Sequence, residues 1–286
     1  MIIVRTIGEL REAVRAARRA GKTVGLVPTM GALHDGHLSL IRRAREEGGL
    51  VVMSLFVNPA QFNDPQDLER YPRDEAHDAD LAAGAGVDVL FAPPVSQVYP
   101  VGFSSAVEVR GISAPLEGAI RGVDHFHGVA TVVTKLFNMV HPDVAFFGQK
   151  DAQQSLLVRR MVQDLDMPIR IEVCPTVREA DGLALSSRNV LLTPADRRRA
   201  PALYRALAAV EASVAGGTDD PTRALGAGTA ILDEAGIEAE YFAAVSTDTL
   251  ARVRRITGET LVALAARFGE VRLIDNVLVH PSHRRA

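Results

Sequence analysis

The sequence predicts an α/β protein, a Rossmann-like doubly wound parallel sheet followed by a smaller C-terminal α+β domain. Three observations carry that prediction. Short apolar runs alternate with helical stretches over residues 1 to about 175, the runs lack polar alternation, and the rhythm changes after about 176. The runs are Thr23–Pro28, Leu50–Val57, Val87–Ala92, Val144–Gly148 and Ile169–Val173. Unbroken Val, Leu, Ile and Phe is the pattern of strands buried on both faces. Helical candidates lie between them, near 37–47, 74–83, 128–140 and 151–164. That order implies right-handed βαβ units with helices on both sides of the sheet. Such sheets bind ligands beyond the carboxyl ends of their strands, where the strand order reverses. Residues just after each strand are therefore the ones to read for chemistry.

The remaining elements follow in order. At the N-terminus Leu10, Val14 and Ala17 sit at helical spacing and predict an amphipathic first helix. Charges scattered through this stretch leave no apolar block of about 7–15 residues, so no targeting segment is expected. The expected domains are 1–175, the parallel-sheet part, and 176–286, a smaller α+β part. The second begins with the loop V-R-E-A-D-G-L-A-L-S-S-R-N, and a helix then opens at Thr193-Pro194. A Gly/Asp/Pro break at Gly216–Pro221 precedes another helix. The strand-like runs Glu238–Val245, Thr260–Ala266 and Val271–Val279 follow, and the tail H-P-S-H-R-R-A is expected to fray.

Composition excludes several classes. Among 286 residues, 47% are hydrophobic and 23% charged, ordinary for a globular protein and wrong for a disordered or fibrous one. The net charge of −3 gives no basic field for nucleic acid. No run of about 18 apolar residues predicts a membrane span. The single cysteine, Cys174, excludes an internal disulfide and suits a reducing, cytoplasmic compartment.

Five stretches carry candidate chemistry. V-P-T-M-G-A-L-H-D-G-H-L, residues 27–38, leaves a strand, passes two glycines and enters a helix. Its backbone N–H groups and the positive helix end suit an anion. His34 and His37, three apart, suit a phosphoryl group that gains charge in a transition state. An H-x-x-H pair also suits zinc, but no third Cys or His lies nearby at ligand spacing, and only His125 and His127 offer to complete such a site across the fold. F-V-N-P-A-Q-F-N, residues 56–63, places Gln61 and Phe62 where a small ligand would lie, and an amide suits a hydroxyl and a carboxylate. In A-F-F-G-Q-K-D-A-Q-Q, residues 145–154, Lys150 stands beside a helix start and adds a point charge to it. Asp151 either caps that helix or accepts from ribose hydroxyls, and one of Gln153 and Gln154 should face the crevice.

L-S-S-R-N, residues 185–189, puts two hydroxyls and a guanidinium in a row, a clamp for phosphate oxygens on a candidate lid. R-G-V-D-H-F-H-G-V-A, residues 121–130, offers Arg121 and His125 but reads equally as a Gly-capped loop. Asp78 and Asp80 are within reach of a magnesium ion, yet a solvated helix face describes them better.

With these residues in hand, the chain resembles the pantoate–β-alanine ligase family, among the nucleotidyltransferases related to class I aminoacyl-tRNA synthetases. P-T-M-G-A-L-H-D-G-H is similar to the superfamily's H-x-G-H signature. F-V-N-P-x-Q-F, F-F-G-Q-K-D-x-Q-Q and D-G-L-A-L-S-S-R-N match the family in order and spacing. The last stands where relatives carry K-M-S-K-S, and Arg188 and the serines replace its lysines. The resemblance implies that Met30, Gly31, Ala32, Leu33, His34, Asp35, Gly36 and His37 cradle ATP phosphates, with His37 in the acid role and His34 assisting. It implies that Gly148, Gln149, Lys150 and Asp151 line ribose and phosphates, with Lys150 stabilising the transition state. Val177 would meet adenine through its backbone, and Leu185, Ser186, Ser187 and Arg188 would close over the triphosphate. Gln61 and Gln154 would hold pantoate, with Gln61 also near β-alanine.

The implied reaction is pantoyl adenylate formation followed by amide bond formation, with ATP as substrate and magnesium carried on its phosphates. No protein metal ligands and no nucleic-acid or membrane partner are expected, and a homodimer is implied. Two rivals remain: a nucleotidyltransferase acting on a phosphate or another carboxylate, and a non-catalytic nucleotide-binding module. They differ from the first reading around Gln61, Phe62 and Gln154, and in turnover.

Overall fold

The computed structural model describes residues 1–281, so the part of the tail from Ser282 onward lies outside the described residues. The chain divides into two compact units, Met1–Gln149 with Gln153–Pro175, and Lys150–Ala152 with the chain from Thr176.

The first unit is a six-stranded sheet. Its strands are β1 (Ile2–Val4), β2 (Val24–Thr29), β3 (Leu50–Leu55), β4 (Val89–Phe91), β5 (Val144–Gly148) and β6 (Arg170–Cys174), in the order β1-β4-β3-β2-β5-β6. Every neighbouring pair is parallel. From β2 the sheet grows through β3 and β4 on one side and through β5 and β6 on the other. The switch point therefore lies between β2 and β5, where a parallel sheet opens a crevice at its carboxyl edge.

Helices α1 (Ile7–Arg19), α2 (Asp35–Glu46), α3 (Glu75–Ala85), α4 (Val123–Val140) and α5 (Ala152–Asp164) connect these strands. Thr6 and Glu9 close a capping box at the start of α1, and Leu10, Val14 and Ala17 are its buried stripe. Leu40, Ile41 and Ala44 of α2 and Ala79 and Ala82 of α3 pack with Val27, Met53, Leu90 and Phe146 on one face. Glycine at position 25 lets Phe146 of β5 approach β2, because a methyl group there would sit 3.2 Å from its ring.

Two elements differ from the sequence expectation. The N-terminus is not helical from its start: Ile2–Val4 forms an edge strand on β4, a sixth strand too short to show a period. The helix expected from 128 begins at Val123, which places Gly128 inside it, where a Cβ would come within 2.2 Å of the Ala60 carbonyl. Glycine is kept in that helix for close approach rather than for a turn.

The second unit holds an antiparallel sheet, β7 (Ala239–Ser246), β8 (Thr260–Phe268) and β9 (Val271–Val279), in sequence order. Helices α6 (Ala202–Ala215) and α7 (Pro221–Glu234) share a core with it, built from Leu203, Leu207, Val210, Leu232, Val262, Leu264 and Phe268. The helix capped by Thr193 is short, Pro194–Arg199, and the chain restarts as α6 after Pro201, which has no N–H to continue the first helix's hydrogen bonding. No helix among the described residues is long and apolar enough to cross a membrane.

Candidate active site

The loop after β2 leads into α2 at the switch point. Gly31 and Ala32 have successive positive φ angles, 95° and 52°, which turn two backbone N–H groups the same way. They converge on Asp78 of α3: Ala32 N donates to Oδ2 at 3.0 Å and Leu33 N to Oδ1 at 2.8 Å. Asp78 is 2% exposed. This corrects the reading of Asp78 as part of a solvated helix face, whereas Asp80 is exposed. The carboxylate instead fills the small backbone nest that the sequence reading left open for phosphate. Gly31 is required twice, by its φ and because a Cβ would lie 2.8 Å from Asp78 Oδ2.

His34 is the N-cap of α2 and His37 its third residue. Gly36 N donates to His34 Nδ1 at 3.1 Å, and His34 N donates to His37 Nδ1 at 3.4 Å. The rings lie 4.2 Å apart between centroids. An Nδ1 that accepts from a backbone N–H leaves the ring proton of a neutral imidazole on Nε2. The pair caps the helix at its positive end. The N–H groups of Ala32, Leu33, His34, Gly36 and His37 all have acceptors within the protein. Those five backbone N–H groups are therefore committed within the protein.

Beside it stands Gln61, at the end of a short 3₁₀ turn, Pro59–Gln61, after β3. Asn58 is 1% exposed and orders this corner. Its Oδ1 accepts from Tyr99 O–H at 2.7 Å and from Ala60 N at 3.3 Å. Its Nδ2 donates to Gly128 O at 3.1 Å and to Gln61 Oε1 at 3.0 Å. With Oε1 so occupied, Gln61 directs its NH₂ to Met30 Sδ at 3.1 Å. Burial pushes the Tyr99 phenol up to about 12, so it stays a donor. His125 Nδ1 meets Gln61 O at 2.8 Å, which makes it a support for this turn. Arg121 pairs with the buried Glu117 at 2.8 Å rather than standing ready for a ligand. Phe62 packs edge-on against Tyr71.

β5 ends at Gly148, opposite Cys174 of β6. The turn Gln149–Asp151 is 3₁₀, and α5 begins at Ala152. Gln153 is buried, with Oε1 accepting from Glu117 N and Nε2 donating to Ile112 O and Pro115 O. It is a clamp for the 112–117 loop, which leaves the half-buried Gln154 as the amide that a ligand could use. Burial, first, and the Glu172 charge push the Cys174 thiol up to about 11.

The second unit holds the other sequence-selected residues. Lys150 Nζ lies 3.8 Å from Asp151 Oδ1. Val177 O accepts from Leu185 N at 3.0 Å, and Arg178 bridges Ala184, which makes 177–185 a hairpin base. At the head of the next loop Arg188 N donates to Ser186 Oγ at 3.2 Å, and Asn189 ties the segment to Glu179 and to Ala184 O. Leu185, Ser186, Ser187 and Arg188 are half-buried. Asp275, 3% exposed, holds Arg178 through two bonds of 2.6 and 3.0 Å, and Arg178 stacks on Tyr204 at 3.8 Å. Burial raises the Asp275 carboxyl, against the pull of Arg178.

Sequence reasoning missed Asp78 as an anchor, along with Asn58, Tyr99 and Asp275. Asn58 had a signal, since a polar residue directly before Pro at a strand end must place its amide somewhere. Among the described residues no group of three or more His, Cys, Asp and Glu gathers to hold a metal ion. Asp78 is committed to amides and Asp151 faces an ammonium, so these side chains do not fit a protein-held magnesium.

A parallel sheet with a histidine-capped helix at its switch point and a lysine-bearing turn after the adjoining strand defines a nucleotide-handling protein of the doubly wound class. The profile of the family described as pantoate-beta-alanine ligase matches residues 2–278. Pantothenate synthetase of Cereibacter sphaeroides is 53% identical over 278 residues, covering 97% of this chain and 99% of the relative. That of Moorella thermoacetica is 51% identical over 282 residues, covering 98% and 99%. The crystal structure of pantothenate synthetase from Thermus thermophilus aligns with a TM-score of 0.92 at 49% identity, covering 98% of this chain and all of that one. Pantoate-beta-alanine ligase from Francisella tularensis, complexed with beta-gamma ATP and beta-alanine, aligns at 0.79 with 36% identity, covering 97% of each. The chain belongs to the pantoate–β-alanine ligase family.

Proposed function

We infer that this chain is the ligase that joins pantoate to β-alanine with ATP, and that it works through a pantoyl adenylate. One observation within the first unit carries the reading. The NH₂ of Gln61 lies 3.1 Å from Sδ of Met30, the residue that opens the histidine-capped loop, so the amide read as holding the acid adjoins the end read as holding phosphate. Gln61 and Gln154 hold pantoate. Its carboxylate oxygen attacks the α-phosphorus of ATP, the bond to the bridging oxygen breaks, and pyrophosphate leaves with the electron pair. In-line attack needs positioning and charge neutralisation more than covalent help. His37 Nε2–H, assisted by His34, donates to the leaving phosphates, and the Lys150 ammonium offsets charge at the α-phosphoryl group. Because the Ala32 and Leu33 N–H groups are occupied, those two residues meet phosphate by shape, Met30 and Gly31 line it beside them, and Asp35 and Gly36 position the imidazoles.

Gly148, Gln149 and Asp151 line the ribose and phosphates, and Val177 meets adenine through its backbone N–H. Leu185 to Arg188 bind the triphosphate, as befits a lid in the C-terminal unit. The β-alanine amine then attacks the acyl carbon near Gln61, loses a proton, and AMP departs as the acyl C–O bond breaks. Magnesium enters as the counter-ion of the ATP phosphates, part of the nucleotide substrate. A cytoplasmic location suits the lone, buried Cys174, and the exposed Ile2 and Ile3 on edge strand β1 offer surface to a second copy in a homodimer.

The decisive assay is ATP–pyrophosphate exchange with pantoate and no β-alanine. Exchange that requires pantoate is expected. AMP release that occurs only when β-alanine is also present would replace the two-step account with chemistry in an assembled complex. No turnover under either condition would move the reading to another nucleotidyltransferase.

A further inference from the structure

Lys150 is placed by something other than its own side chain. The three residues Lys150–Ala152 belong to the compact unit formed by the C-terminal half of the chain. Within that unit Asn276 of β9 donates from Nδ2 to the Lys150 carbonyl at 2.9 Å, across 126 residues of sequence. Asn276 is 4% exposed, and its neighbour Asp275 is 3% exposed. The two alternate to opposite faces of β9. Asp275 accepts from the Asn276 backbone N–H at 2.7 Å and from Arg178, which makes the strand backbone at this point rigid. A buried amide on a fixed strand thus grips the backbone of the residue whose ammonium serves the phosphates. Asp275, on the same strand, grips the hairpin that leads to Ser186–Arg188.

We propose that Asn276 is a positioning residue for Lys150, acting on the reaction only through the placement of that lysine's backbone. The proposal rests on the role given to Lys150 above. It is tested in the full-length protein by a double-mutant cycle of Asn276→Leu and Lys150→Ala, read by pantoate-dependent ATP–pyrophosphate exchange. Leucine keeps the branching and heavy-atom count of the asparagine side chain and removes the amide's hydrogen-bonding groups.

Because a displacement near 1 Å at a reacting group costs up to about 100-fold, Asn276→Leu is expected to lower kcat by about 10- to 100-fold. KM for pantoate stays within about twofold, since Gln61 and Gln154 are untouched. The double variant is then no slower than Lys150→Ala alone. Losses that multiply, or a wild-type kcat in Asn276→Leu, overturn the proposal while leaving the role of Lys150 intact. Full activity in Lys150→Ala overturns that role, and the proposal with it, whatever Asn276→Leu does. Each variant's thermal midpoint is measured first, and Asn276→Ser takes the place of Asn276→Leu in the same cycle if leucine prevents folding.

Discussion

Two loops in this protein are read as serving phosphate, and they are held in opposite ways. The loop 30–37 is tied to Asp78, 45 and 46 residues away, through a carboxylate that is almost wholly buried. The loop 185–189 is tied to its own surroundings, by Ser186 to Arg188 and by Asn189 to Glu179, ten residues away at most. The first is fixed before any ligand arrives. The second ends in the exposed Val190 and Leu191 and relies on short-range bonds that cost little to remake. A rigid loop suits the stabilisation of developing charge, which depends on donors already in place. A locally tied loop suits closure over a nucleotide that must also leave.

The comparison can be broken at three places. The largest expected effect is at the rigid loop's chemistry: His37→Ala should lower kcat by about 10²–10⁴ with the thermal midpoint unchanged within a few degrees. A loss below roughly tenfold in steady-state turnover would remove His37 from the reaction. Next comes the anchor. Asp78→Ala strands one buried and one part-buried N–H group, and the thermal midpoint should fall by roughly 5–10 °C, with activity reduced as the loop loosens. A midpoint within about 1 °C of wild type would show that the nest does not need its carboxylate.

The smallest effect belongs near the locally tied loop. The Arg197 guanidinium holds the Asp181 carboxyl below its usual value, but Asp181 is exposed and Arg197 only half-buried. A lowered carboxylate contributes stability above its unfolded pKa, and the contribution fades as pH falls through the lowered one. Asp181→Asn should therefore cost at most about 1 kcal/mol at neutral pH and nothing in strong acid, read from urea midpoints across pH. A larger loss would mean that this loop is held more firmly than its local bonds indicate.

Legibility in the sequence follows the same division. Features set by near neighbours were readable: the buried strands, the Thr193-Pro194 helix start, and the H-D-G-H and S-S-R stretches. Features set by distant partners were not. Asp78 reads as one acid among several on an Asp/Glu-rich helix, because nothing local says that a nest 45 residues earlier will claim it. Asn276 sits in a strand whose apolar pattern conceals its reach to Lys150. β1 was lost for a different reason, since three residues carry no period. The motifs were legible as a set of chemical types, while their second layer, which decides which atoms point outward, is a product of topology.

The order of the strands has a consequence for how this site comes into being. β2 and β5 are neighbours at the centre of the sheet, and the pairing is closed at its edge by Val24 N on Asp143 Oδ2, between residues 119 apart in the chain. No other strand pairing in the sheet spans so much sequence. Closing so long a loop costs chain entropy before any contact repays it, and parallel pairing of this kind is slow. The half built on β2, β3 and β4 and the half built on β5 and β6 each have local partners to form with. Their junction, which is also the switch point, has none nearer in the chain. The switch point is thus where the sheet's longest loop closure falls, so the chain entropy lost there is the largest of any strand pairing in the sheet.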